Sequence, residues 1–233
     1  MIPLRDINPN ERPPLMTGIL ILINLFVFGI QIMVPEGGQR AFFQSFGLVP
    51  ARYTLPEWAA QAGLSASPLP FLTSMFMHGG WMHLIGNMWS LWLFGDNVED
   101  KLGHWRFLGF YVLSGLAAGG SQYMVDSHST MPVVGASGAI AGVMGAYMVL
   151  FPKARILTFV TLGFFWRLTT LPAWIFIGIW IGFQLLSGAV VLGGSNGAAG
   201  GIAFWAHIGG FTAGILLLYA LGHRRPRRSL LTQ

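Results

Sequence analysis

Four side chains in this sequence have types and spacings that could do chemistry together. Ser137 lies in MPVVGASGAIAGVMG (131–145), pressed between small residues. His207 lies in FWAHIGGFTAGI (204–215), and His83 and Asn87 lie in HGGWMHLIGNMW (78–89). A serine hydroxyl becomes a nucleophile when a base within hydrogen-bond reach takes its proton. Neutral imidazole can take that proton and later return it to a leaving amine. A second imidazole, a carboxamide and a free N–H at a helix N-terminus can donate to a developing oxyanion. Ser137 and His207 are therefore the candidate nucleophile and base, with His83, Asn87 and the Ser137 backbone N–H as oxyanion donors. The eight acids are Asp6, Glu11, Glu36, Glu57, Asp96, Glu99, Asp100 and Asp126, and none lies in the segments of Ser137 or His207. The expected unit is a Ser–His dyad without a carboxylate. Each residue also has a plainer use. A serine among glycines serves packing, a histidine at a helix end suits an interface, and an asparagine can bond a neighbouring helix.

The elements that must position these groups follow from composition. Of 233 residues, 54% are hydrophobic and 9% charged, against about a quarter charged in a soluble domain. One integral membrane domain is expected. The absence of cysteine excludes disulfides, thiol nucleophiles and thiolate metal sites. Neither a cofactor nor a metal site is expected. The net charge of +5 suits loops facing an anionic inner leaflet, with membrane lipid rather than nucleic acid as the partner.

A spanning helix needs about 20 apolar residues. Candidate spans are about 15–34, 82–101, 107–125, 137–151, 169–192 and 205–221. The apolar run after the polar, turn-rich N-terminus is too long for a signal-peptide core and is expected to remain as the first span. With the N-terminus inside, eleven of the Lys and Arg residues fall on the inner side. Only Arg40 and Arg52 fall outside, so the positive-inside rule puts both termini in the cytoplasm. The sequence thus predicts an all-α polytopic membrane protein. Residues 1–14 are a cytoplasmic segment, 15–222 a six-span domain and 223–233 a basic cytoplasmic tail. The long outer loop at about 35–81 suits a helix lying in the interface. GGSNGAAGG (193–201) is a candidate moving cap.

Spans two, four and six then run from outside to inside, and their polar groups share one level. Ser137 precedes Leu150 by thirteen residues, and His207 precedes Leu221 by fourteen, about 20 Å in each case. In a hydrocarbon core of about 30 Å, both lie about 10 Å below the outer surface. Small residues let their helices touch: Ser137, Ala141 and Gly145 form one stripe, with Gly138, Gly142 and Ala146 beside it, facing Gly210 and Gly214. His83 and Asn87 are one turn apart on one face. GASGA departs from G-x-S-x-G at Ala139, and there is no H-E-x-x-H.

Three segments, HGGWMHLIGNMWSLWLFG (78–95), GASGAIAGVMGA (135–146) and AHIGGFTAG (206–214), resemble the rhomboid intramembrane serine proteases in order, spacing and host spans. The resemblance covers about 10–222. It implies a six-transmembrane-helix rhomboid-like bundle that cleaves single-span membrane proteins near the outer face. By position it makes Ser137 the nucleophile, His207 the base, His83 and Asn87 oxyanion donors, and His78 a supporting residue, beside the motif glycines Gly135, Gly138, Gly210 and Gly214. DNVEDKLGHWRF (96–107) resembles the inner loop of bacterial members, which implies a prokaryotic inner membrane. The Trp-Arg pair of some members' first outer loop has no counterpart here, since 105–106 and 166–167 fall on the inner side. Two alternatives are an inactive rhomboid-like client-binding or dislocation factor, whose members typically lack the Ser or the His, and a small transporter. The second would call for inverted repeats and broken spans, and the sequence has neither.

Overall fold

The structure is a computed structural model, and it describes residues 1–162, 165–193 and 203–222. In chain order the elements are β1 (Ile2–Asp6), α1 (Leu15–Met33), α2 (Glu36–Phe46), α3 (Ala51–Thr54), α4 (Pro56–Gln61) and α5 (Pro70–Thr73). They continue with α6 (Trp81–Leu102), α7 (His104–Val125), α8 (Ser137–Leu150), β2 (Arg155–Leu162), β3 (Phe165–Pro172), α9 (Ala173–Gly193) and α10 (Phe204–Leu221). The candidate loop at 193–201 and the basic tail at 223–233 lie outside the described residues, apart from Gly193 as the end of α9.

Among the described residues, three helices are long and apolar enough to cross a membrane: Leu15–Met33, Ala173–Leu192 and Phe204–Leu221. Ser137–Leu150 is apolar and shorter, while α6 and α7 have the length but more polar residues. Outward faces are apolar throughout, as at Phe26, Trp92, Phe183 and Leu216. Helical spacing divides α6 cleanly. Trp81, Ile85, Trp89 and Trp92 point out, while Leu84, Leu91, Phe94 and Val98 are buried.

The centre of the bundle is α8, in which ten consecutive residues, Gly138 to Tyr147, are buried. Glycine in a helix interior costs about 1 kcal/mol relative to alanine, and close backbone approach is what offsets it here. A Cβ on Gly210 would run into the Gly138 carbonyl oxygen, and one on Gly214 into that of Gly142. A third wall comes from α7, where Ala118 and Ser114 press on Gly138 and Gly142. The start of α1 has no side-chain cap of its own. The buried Glu99 carboxylate of α6 instead accepts the N–H groups of Met16 and Thr17, both at 2.8 Å, and the Thr17 hydroxyl at 2.7 Å. Such bonds to a charged acceptor are stronger than neutral ones.

The all-α expectation is corrected by an antiparallel sheet in the order β1-β2-β3. RILTFVTL and FWRLTTLP are rich in β-branched and aromatic residues, which suit strands. Residues 169–172, expected to begin the fifth span, instead close β3, and the helix starts at Ala173. The N-terminal segment supplies the third strand, Ile2 pairing with Phe159 and Asp6 with Ile156.

Candidate active site

The loop between α1 and α6 and the segment before α8 are stitched together. Leu48 and Val133 exchange backbone bonds of 3.0 and 2.8 Å, the Ala51 N–H donates to the Ser129 carbonyl, and the Gly135 N–H donates to that of Ser74 at 2.9 Å. Gly135 adopts φ +131°, a region open to glycine. This turn brings the chain into the first residue of α8, Ser137.

The Ser137 Oγ lies 2.7 Å from Nε2 of His207. The residues are seventy apart in sequence and meet because α8 and α10 are in backbone contact. They line a cavity of about 540 Å³ together with His83, Gly135 and Gly138. The His83 ring packs against Gly135: a Cβ there would lie 2.8 Å from His83 Nε2 and 3.5 Å from Ser137 Oγ. His83 Nδ1 accepts the Gly79 N–H at 3.2 Å. A neutral ring with Nδ1 accepting carries its proton on Nε2, the nitrogen that faces Gly135. The first N–H groups of α8 have no partner within their own helix and open on the same space.

The other expected residues are placed as follows. Asn87 is buried, its Nδ2 has no hydrogen-bond partner, and it does not line the cavity. His78 is fully buried behind His83, the rings meeting edge-on at 5.2 Å. Burial, with His83 adding to it, lowers the His78 pKa to about 4, so the ring is neutral at physiological pH. Its backbone is clamped by Gln31, which donates to the His78 carbonyl and accepts its N–H. Gly210 and Gly214 form the seam between α8 and α10.

Two neighbours of His207 were not picked out from the sequence. The Oε1 of Gln184 lies 2.8 Å from His207 Nδ1, and the Trp180 ring lies against the imidazole with centroids 5.7 Å apart. Both come from α9, four residues apart and so on one face. A glutamine within an apolar run was the available sign.

The chain matches the Rhomboid domain over residues 66–224, and it belongs to the rhomboid family. It is 30% identical over 217 residues to "Rhomboid protein 1, mitochondrial" of Saccharomyces cerevisiae, covering 90% of this chain and 55% of that protein. It is 32% identical over 150 residues to "RHOMBOID-like protein 5" of Arabidopsis thaliana, covering 64% and 43%. A Bacillus subtilis protein provisionally named rhomboid protease YdcA is 40% identical over 87 residues, covering 36% of this chain and 43% of its own. The chain spans about half the length of these curated relatives.

Proposed function

We propose that this integral membrane protein is a serine endopeptidase that cleaves single-span membrane proteins near the outer membrane face. The observation that carries this function is the 2.7 Å approach of Ser137 Oγ to His207 Nε2 inside a cavity. In the reaction, Ser137 Oγ attacks the scissile carbonyl carbon as its proton passes to His207 Nε2. The oxyanion accepts bonds from His83 Nε2–H and the Ser137 backbone N–H; Asn87, one turn from His83 and outside the cavity wall, joins them only by turning its unpartnered amide inward. His207 then gives the proton to the departing amine, and water releases the acyl group by the reverse sequence.

The topology is six spans with both termini in the cytoplasm, around the 15–222 domain. Pairing of β1 with β2 supports it. The chain before α1 and the chain after α8 must share one side, which requires an even number of crossings between them. Crossings by α1, α6, α7 and α8 meet that requirement. The charge bias supports the same orientation, and the bacterial-type inner loop supports a prokaryotic inner membrane. Two relatives cited above point elsewhere by name or source, so localisation by fractionation is the check.

The test is labelling by a fluorophosphonate probe in the membrane, with Ser137→Ala as control. Ser137-dependent labelling is the expected result. An unlabelled, correctly folded protein would overturn the protease assignment in favour of the inactive client-binding factor.

A further inference from the structure

We propose that Gln184 is a positioning residue for the catalytic base, holding His207 in the one tautomer that can accept the serine proton. The proposal rests on the serine-protease function above and adds a third member to its dyad. The two ring nitrogens of His207 face two different groups: Nε2 meets Ser137 Oγ at 2.7 Å, and Nδ1 meets Gln184 Oε1 at 2.8 Å. Neutral imidazole has one donor and one acceptor nitrogen, and the partner at one fixes the role of the other. A carbonyl oxygen at Nδ1 can only accept, so Nδ1 carries the hydrogen and Nε2 presents its lone pair to the serine. A hydrogen on Nε2 would leave no acceptor for the Ser137 proton. Among the described residues, no carboxylate bonds to His207. The carboxamide supplies the orienting half of what a triad acid does and omits the charge. An amide in this position is workable in principle, since papain-like enzymes pair their histidine with an asparagine.

The position of Gln184 supports that role over simple packing. The side chain is polar on a helix that is otherwise apolar from Ala173 to Leu186, and it is only partly buried. It projects from the same face as Trp180, whose ring lies on the imidazole. The tryptophan limits ring tilt while the amide sets ring rotation, so α9 holds the base from two directions.

Three measurements test this. The ring nitrogens of His207 in the wild-type protein, labelled with nitrogen-15 and assigned by their loss in His207→Ala, should report hydrogen on Nδ1. Gln184→Met keeps the volume and removes the acceptor. It should lower kcat by about 100-fold, with KM unchanged, and mix the two tautomers. Gln184→Glu keeps the acceptor and adds a charge that favours imidazolium. It should recover activity at high pH and move the acid limb of the pH–rate profile to higher pH. Unchanged kcat in a folded Gln184→Met, or an Nε2–H tautomer in the wild type, would overturn the proposal. If the wild-type protein shows no Ser137-dependent labelling, the protease function fails by itself, and the tautomer measurement still decides what Gln184 does.

Discussion

Ser137 and His207 act as one unit in the proposed mechanism, so their removal should not add. Ser137→Ala and His207→Ala are each expected to abolish cleavage of a membrane substrate at unchanged expression and helicity. The double variant should be no worse than either single. Residual activity measured on purified protein checks this. Full activity in Ser137→Ala would exclude a serine mechanism. Asn87 makes a different prediction. Its amide is buried without a partner, a state that costs about 1–3 kcal/mol for an ordinary polar group and suits a donor reserved for a transient oxyanion. Asn87→Ala should therefore lower kcat by about 100- to 1000-fold and leave KM near its starting value. A rise in KM alone would make Asn87 a binding or packing residue. His83 was legible as a candidate donor from its one-turn spacing to Asn87 and its level near Ser137 and His207. Its tautomer came from the Gly79 N–H, a turn contact that no spacing rule encodes.

Among elements, the seam between α8 and α10 depends on missing side chains. Gly210→Val would push a methyl-bearing carbon into the Gly138 carbonyl, and Gly214→Val would do the same at Gly142. Overpacking of a tight interface costs about 1–3 kcal/mol. Both variants should lose thermal stability and activity together, by melting in detergent and cleavage assay; loss of activity alone would point to substrate access. This seam was readable, because Gly and Ala at four-residue intervals have few other uses in a membrane helix. The sheet was not. The end of β3 runs on into the apolar start of α9, so that boundary was blurred at 169–172, and β1 begins among prolines and charges. Gln184 and Trp180 were hidden for a related reason, since one polar residue in an apolar run does not say which helix it faces.

The same sheet carries a pH dependence. Burial, opposed by the Tyr147 hydroxyl bond and reinforced by Asp96, raises the Asp6 pKa to about 6, Arg5 acting weakly the other way. Asp6 also accepts from Asn97 at 3.0 Å. An acid raised on folding binds more protons in the docked state. Docking of β1 is thus strongest in mild acid and weakens as pH rises from about 4 to about 6. Protection factors at Leu4, Arg5 and Asp6, taken against the intrinsic exchange rate at each pH, should rise on acidification, and Asp6→Asn should remove that trend.

At the scale of the whole molecule, α8 is the short member of the bundle. Its fourteen residues reach about 21 Å, less than the hydrocarbon core of about 30 Å. With its inner end level with its neighbours, Ser137 would lie about 10 Å below the outer surface, in a cavity that must admit water from that side. A substrate helix makes all its backbone bonds internally and must unwind near its outer end before it can offer a carbonyl. The expected substrate has Gly, Pro or other weak helix formers there, and the family resemblance implies a small residue before the cut. Replacing the destabilising residues by Leu should protect it. Mass spectrometry of the released ectodomain should give a C-terminus a few residues inside the membrane boundary. A cut in the cytoplasmic half would contradict the topology or the enzyme assignment.

Pairing of Ile2–Asp6 with Arg155–Leu162 also sets an order of events during synthesis. The first strand leaves the ribosome about 150 residues before its partner, which at 5–20 residues per second is a wait of roughly 10–30 s. Through that interval its backbone donors have only water or another chain to bind. The helices from α1 to α8 can insert meanwhile, so closure of the sheet comes after those insertions rather than before them. A peptide fused ahead of Met1 would therefore leave insertion intact and obstruct the closing step, yielding a protein that is in the bilayer yet open to protease at its N-terminus.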